Sequence, residues 1–306
     1  MTSVKNYLSL IKFSHTIFAM PFAIIGFFLG LYTVPDASDS RAGEGLGLKY
    51  GFSGSVFSMG LKLLLVILCM VFARSAAMAF NRYLDRHFDA KNPRTAIREI
   101  PRGILSASHV LRFAVVCCLL FMACCYFINR ICFFLSPVAL FVVLFYSYTK
   151  RFTPLCHFVL GLGLSLAPIG AYLAVSGHFA LLPILFSLTV IFWVSGFDII
   201  YALQDEDFDK SEELYSMPSW LGKSRALRVS ELLHLLSFVC VAVVGVLWHF
   251  GPWYWIGVAV FTGMLFYQHS IVNPNDLSRV NIAFMTANGV ASVVFALFVI
   301  ADLVFH

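Results

Sequence analysis

Apolar residues run along this chain in blocks of about twenty, broken by short polar stretches. The blocks fall at about 16–34, 61–88, 108–128, 132–148, 155–175, 181–205, 227–249, 252–271 and 282–304. At 1.5 Å per residue a helix of about 20 residues crosses the hydrocarbon layer of a bilayer. The pattern therefore predicts an all-α, polytopic membrane protein with nine transmembrane helices, forming one integral-membrane domain over residues 1–306. The third and fourth blocks are parted only by "FINRICFF", which reads as a tight turn, and Pro252 parts the seventh from the eighth. The first block is too long for the apolar core of a signal peptide and no A-x-A site follows it, so it reads as a retained span. The Gly/Ser-rich stretch at 35–55 reads as a connection without chemistry of its own.

Composition agrees with this picture. The 306 residues are 60% hydrophobic and 12% charged, against about a quarter charged in a soluble domain. Such a chain cannot cover itself with a polar surface, and its partner is the lipid bilayer; no nucleic-acid partner is expected. The eight cysteines lie in or beside apolar blocks, without metal-ligand spacing, and read as small hydrophobes with no sign of disulfides.

The net charge of +5 matters less than its placement. With nine spans, one face receives Lys5, Lys12, Arg82, Arg86, Lys91, Arg94, Arg98, Arg102, Lys150, Arg151, Lys210, Lys223, Arg225, Arg228 and Arg279. The other receives Arg41, Lys49, Lys62 and Arg130. Basic residues favour the cytoplasmic side, which predicts a multi-pass protein of the inner (cytoplasmic) membrane with its N-terminus and the loops after even-numbered spans in the cytoplasm.

Two of those cytoplasmic ends carry aspartates. The second block ends in "NRYLDRHFDAKNPR", where Asn81, Asp85 and Asp89 follow one another at four-residue spacing and share a helix face, with Met78 and Arg74 continuing deeper. The helix is expected to stop before Pro93. The sixth block ends in "GFDIIYALQDEDFDK", with Asp205 and Asp209 again four apart, and Tyr201 and Asp198 on the turns before. A carboxylate such as Asp198, placed after an almost wholly apolar run, is expensive in a membrane unless paired or facing a wet cavity, and Arg74 raises the same question. One acidic motif alone is as readily a charged helix end, with Asp85 paired to Arg82 and Asp89 to Arg86. Two matched motifs on one face are not.

Hard cations take oxygen ligands, and Mg²⁺ commonly uses one or two carboxylates together with substrate phosphates. Asn81, Asp85, Asp89, Asp205 and Asp209 are thus candidate Mg²⁺ ligands around a diphosphate. Four carboxylates carry −4, a diphosphate ester adds about −3 and two Mg²⁺ return +4, leaving about −3 for basic residues to offset. Lys150 and Arg151 of "YSYTKRFT", with Arg94 and Arg98, are candidates for that role. A transporter would place its ionisable residues near the midplane on broken helices, without basic residues interleaved. A lipid head-group phosphotransferase would show D-G-x-x-A-R, which is absent.

"NRYLDRHFDAKNPRTAIREIPRG" and "DIIYALQDEDFDK" resemble the N-x-x-x-D-x-x-x-D and D-x-x-x-D motifs of the UbiA superfamily of intramembrane aromatic prenyltransferases. "YSYTKRFT" is similar to that family's basic loop, and "SMPSWLGKSRAL" to its S-x-P-x-x-x-G segment. The resemblance spans nearly the whole chain. It implies a ring of nine helices around a central cavity, capped by cytoplasmic loops. It implies Mg²⁺-dependent transfer of a polyprenyl group from a polyprenyl diphosphate to the ring of a hydroxyaromatic acid, 4-hydroxybenzoate first, a dihydroxynaphthoate as the alternative. Within that reaction Asp85, Asp89, Asp205 and Asp209 serve catalysis through the metal. Asp198 is a candidate to orient the acceptor hydroxyl or assist proton removal, and Arg74 or a loop arginine to hold the acceptor carboxylate. Phe192, Trp193, Phe197 and Met78 are candidates to line the tail cavity.

Overall fold

The computed structural model describes residues 4–11, 18–32 and 56–306. The expected Gly/Ser-rich connection and part of the first predicted span lie outside them. Among the described residues the chain is helical throughout, its sole β-type pairing an isolated bridge between Asn273 and Asp276. The helices are α1 (Val4–Leu10), α2 (Met20–Tyr32), α3 (Val56–Leu84), α4 (Arg86–Lys91), α5 (Ala107–Ile128), α6 (Arg130–Thr149), α7 (Cys156–Ser176), α8 (Leu181–Ala202), α9 (Glu206–Ser211), α10 (Met217–Leu221), α11 (Lys223–Leu247), α12 (Pro252–Ile271) and α13 (Asn288–Phe305). A π-helical turn, Ile282–Ala287, leads into α13.

Seven described segments are long and apolar enough to cross a membrane: α3, α5, α6, α7, α8 with its continuation to Ser211, α11, and α13 with the turn before it. The expected nine are met to that extent. The first and eighth predicted spans correspond in position to α2 and α12, which fall outside those seven. α2 has 13 described residues. α12 carries Trp253, Tyr254 and Trp255 at one end and Gln268 and His269 at the other, which lowers its hydropathy.

Each long helix packs on its successor in chain order and α13 returns to α2, closing a ring. The tight α5–α6 turn is made by Asn129. Its side-chain oxygen accepts from the Cys132 N–H at 2.8 Å, capping α6, while its amide donates to the Leu173 carbonyl at 2.8 Å. α2 also lies against α7, so closely that a β-carbon at Gly26 would collide with the Pro168 backbone. Without a hydrophobic drive between helices in lipid, such small-residue contacts are how membrane helices gain packing energy.

The ring interior is filled unequally. On one side Phe22, Trp193, Tyr254, Phe261 and Phe295 are fully buried in a solid aromatic core, with Phe22 and Trp193 ring centroids 5.2 Å apart. On the other a cavity of about 370 Å³ lies between α3, α5, α6 and α7. The expected central cavity is therefore off-centre. Trp193 and Phe197 belong to the aromatic core and Phe192 packs against a neighbouring cluster around Ile199, so of the four expected lining residues Met78 alone lines the cavity. All eight cysteines are free. Cys69, Cys125 and Cys132 form part of the cavity wall.

Gly26→Ala is expected to destabilise the α2–α7 contact by about 1–3 kcal/mol through overpacking. It should lower the thermal midpoint in detergent, whereas Gly170→Ala, where a β-carbon meets open space, should leave it unchanged.

Candidate active site

Both acidic motifs sit where a long helix breaks. α3 ends at Leu84, and Asp85 (φ −87°, ψ 3°) turns the chain into α4. α8 ends at Ala202, and a single 3₁₀ turn brings Asp205 (φ −105°, ψ 3°) to the start of α9. Each first aspartate thus lies near the bridge region of backbone space. The uninterrupted helical stripes expected from sequence are two stripes bent at the same relative position. Hydrogen bonding continues through the first bend, with Asp85 N–H on the Asn81 carbonyl and Asp89 N–H on that of Asp85. α4 then stops at Asn92, before Pro93, as expected.

The local salt bridges that a charged helix end would make are not those found. Arg86 turns away to donate to the Tyr83 carbonyl at 2.7 Å. Asp85, 2% exposed, is held by cations from the α6–α7 connection: Lys150 Nζ and Arg151 Nη2, each at 2.8 Å, with Asn81 donating at 3.1 Å. Asp89 accepts from Arg98 Nη1 at 2.5 Å, and its second oxygen is buried without a hydrogen-bond partner. The loop that follows folds back across the gap between motifs. Arg94 donates to both oxygens of Asp205, through Nε at 2.9 Å and through Nη2, and to the Tyr201 hydroxyl at 2.8 Å. Burial pulls the Arg94 pKa down, but Asp205 and Tyr201 outweigh it and hold the guanidinium above its ordinary value. Asp209 accepts from Ser216 Oγ at 2.8 Å.

Asp85 is thus paired to Lys150 and Arg151, Asp89 to Arg98 and Asp205 to Arg94, while Asp209 is held by the Ser216 hydroxyl. Arg74 stands apart from these pairs. It lines the apolar cavity together with Tyr146, and its Nε is buried with no hydrogen-bond partner. Asp198 also stands apart, its Oδ2 2.7 Å from His157 Nδ1. Sequence reasoning passed over His157, Asn92 and Ser216. Asn92 is buried, donates to Asp205 at 3.2 Å and accepts from the Arg94 N–H at 2.9 Å, tying the two motifs. Its position before a proline was the available signal; for His157 the signal was a lone imidazole opening an apolar block.

The UbiA prenyltransferase family matches residues 46–290. The chain belongs to this family. It is accordingly a prenyltransferase and a multi-pass membrane protein. Among similar curated proteins, the 4-hydroxybenzoate octaprenyltransferase of Tolumonas auensis is 30% identical over 235 residues, covering 76% of this chain and 82% of that one. That of Aromatoleum aromaticum is 29% identical over 230 residues, covering 75% and 78%. Among solved structures, a UbiA homolog from Aeropyrum pernix superposes with a TM-score of 0.75 at 26% identity, over 95% of this chain and 97% of that one. A UbiA homolog from Archaeoglobus fulgidus bound to GPP and Mg²⁺ shares the fold, with a TM-score of 0.70 at 19% identity over 98% and 99%.

The residues present fit a magnesium ion whose shell is completed by substrate. All candidate ligands are oxygens, and Asp89 offers a buried oxygen without a partner. Among the described residues no three His, Cys, Asp or Glu side chains converge closely enough to cage a metal unaided.

Arg94→Lys keeps the charge but loses the planar fork that grips Asp205 and Tyr201 together. In the absence of ligand it is expected to cost about 1–2 kcal/mol, read as a lower thermal midpoint in detergent. An unchanged midpoint would show that other contacts hold the loop over the second motif.

Proposed function

We propose that this enzyme transfers a polyprenyl group from a polyprenyl diphosphate to a ring carbon of 4-hydroxybenzoate, in the inner membrane. We further propose nine spans, with α2 and α12 completing the seven, one domain over residues 1–306, and the aspartate site and N-terminus in the cytoplasm. The observation that carries this reading is that the loop after the first aspartate motif reaches the second, with Arg94 and Asn92 on Asp205, in a bundle that also holds an apolar cavity. The names of the curated relatives support the acceptor. The side to which the basic residues map supports the orientation.

In this reading Asn81, Asp85, Asp89, Asp205 and Asp209 hold Mg²⁺. When bound, Mg²⁺ acts as a Lewis acid that stabilises charge on the leaving diphosphate. Lys150, Arg151, Arg94 and Arg98, which neutralise the aspartates in the ligand-free arrangement, are freed to face phosphate oxygens. Arg suits bidentate contact and Lys acts as a point charge. The allylic C–O bond breaks with its electron pair leaving on the diphosphate. A nucleophilic ring carbon of the acceptor then bonds to the prenyl carbon, and that ring carbon loses its proton. Arg74, at the cavity wall with an unpaired buried Nε, is placed to take the acceptor carboxylate. Asp198 is placed to take the acceptor hydroxyl.

The cavity serves the tail and keeps water from the cation. Along α3 its wall runs from Val66 to Met78, about 18 Å at 1.5 Å per residue. The exposed residues Leu135, Val138 and Phe179 are also part of the wall, so it reaches the outer surface of the bundle beside α6 and α7. A long tail would leave there into lipid.

The test is a product assay by mass spectrometry with purified protein, Mg²⁺, prenyl diphosphates of increasing length and a panel including 4-hydroxybenzoate and a dihydroxynaphthoate. Transfer to 4-hydroxybenzoate, lost on chelating the metal and lost in Asp85→Asn and Asp205→Asn, is expected. Transfer without divalent metal, or full activity in either variant, sinks the mechanism, and transfer only to the naphthoate moves the acceptor. Gly170→Leu projects a side chain into the open cavity. It is expected to leave geranyl transfer intact and to reduce transfer of long tails at least tenfold.

A further inference from the structure

His157 opens α7, is 3% exposed and stands outside the aspartate–cation network. A buried imidazole in a membrane bundle requires partners for both nitrogens, and here both are defined. Nδ1 lies 2.7 Å from Asp198 Oδ2, and Nε2 lies 3.2 Å from the backbone nitrogen of Met217. A backbone N–H can only donate, so Nε2 accepts and carries no proton. The ring proton is thereby placed on Nδ1, where it is donated to Asp198. The backbone at His157 lies against α8, its carbonyl 3.2 Å from Ser195 Oγ, which also lies 2.7 Å from the Ile191 carbonyl. Asp198 is pinned by one oxygen only. Its side chain is 24% exposed, and among the described residues Oδ1 receives no hydrogen bond.

We infer that His157 is a positioning residue that fixes the Asp198 carboxylate with Oδ1 turned to the hydroxyl of the aromatic acceptor. This rests on the proposed prenyl transfer to a hydroxyaromatic acid. The acceptor's O–H donates to Oδ1, and a ring polarised in this way is a better nucleophile at carbon. No bond to His157 forms or breaks. The same imidazole ties acceptor side to donor side through adjacent residues of the 216–221 cap. Met217 N–H reaches His157, while the Ser216 hydroxyl reaches Asp209. The cap is itself rigid, with Ser216 and Ser219 bonded reciprocally at the start of α10. Its backbone is strapped to the basic loop by the Tyr215 N–H on the Lys150 carbonyl at 2.7 Å. His157 thus orients Asp198 relative to the segment that also sets Asp209.

The experiment is steady-state kinetics of the full-length enzyme with Mg²⁺, geranyl diphosphate and 4-hydroxybenzoate, varying each substrate in turn. His157→Leu is expected to lower kcat/KM for the acceptor about tenfold to a hundredfold, the loss of one hydrogen bond to a charged group, with donor KM within twofold of wild type. His157→Asn, whose amide can donate near the Nδ1 position, is expected to recover most of that loss. In an Asp198→Asn background, adding His157→Leu should cost nothing more, since the two act as a unit. Unchanged acceptor kinetics in His157→Leu, equal losses for both substrates, or additive losses in the double variant would overturn the inference. Should His157→Leu not fold, a His157→Asn protein that folds and binds geranyl diphosphate but transfers nothing overturns it equally. A wild type that prenylates no aromatic acid defeats the proposed function and this inference with it; an active wild type with an indifferent His157 defeats the inference alone.

Discussion

Four aspartates gathered at one end of an apolar bundle must be compensated, and this constraint organises that end of the protein. Asp85 and Asp89 are 2% and 5% exposed, so water screens them little. An uncompensated buried carboxylate is costly, and the compensating cations come from other segments, not from the aspartate's own helix. Asp85 takes its cations from the α6–α7 connection, Asp89 from the loop beyond α4, and Asp205 from that same loop crossing between motifs. Charge neutralisation and loop placement are one event: the connections are drawn over the bundle because their arginines and lysine have nowhere better to go.

The interior below obeys a second division of labour. The α2–α8–α11–α12–α13 side is packed solid with aromatics, while the side between α3, α5, α6 and α7 is open. Native interiors are otherwise packed as densely as organic crystals, so a void of this size forfeits dispersion energy that the aromatic side must supply. α7 faces both regions. Its Gly26–Pro168 contact locks it to α2, and its Gly170 leaves the cavity wall low. The rigidity of one half is what lets the other stay hollow without collapsing.

Much of this was legible from sequence because it depends on period and sign. Block length gave the helices, and four-residue spacing gave the aspartate stripes. The crowding of basic residues on one face identified the loops that compensate them. What sequence hid depends on three-dimensional register. Nothing in "NRYLDRHFDAK" shows that Asp85 bends the chain, because a helix-compatible residue in the bridge region leaves no compositional trace. Nothing in "FWVSGF" shows that Trp193 and Phe197 pack into the aromatic core instead of lining the hollow side, since aromatic residues serve either place. His157 was invisible because its partners, Asp198 and Met217, lie 41 and 60 residues away. Arg74 was visible as an anomaly, but only the structure separates it from the cations paired with the aspartates and sets it at the apolar wall beside Tyr146.

The pairing of cations with aspartates bears on how the proposed metal site would discriminate. In the proposed reaction a bare divalent ion taken up by Asp85 or Asp205 would displace Lys150, Arg151 or Arg94 and leave that cation uncompensated, although Asp89 keeps one oxygen free and Asp209 is held only by Ser216. A metal arriving with a diphosphate brings a replacement anion for each cation it displaces. The exchange is then close to neutral, because the arginines and the lysine move from carboxylate to phosphate without losing charge-assisted hydrogen bonds. In the proposed reaction the basic residues would oppose metal alone and would cradle metal that arrives with substrate. They would do so because they are paired to the aspartates in the resting state, as Asn92 and Arg94 are to Asp205, and not merely near them.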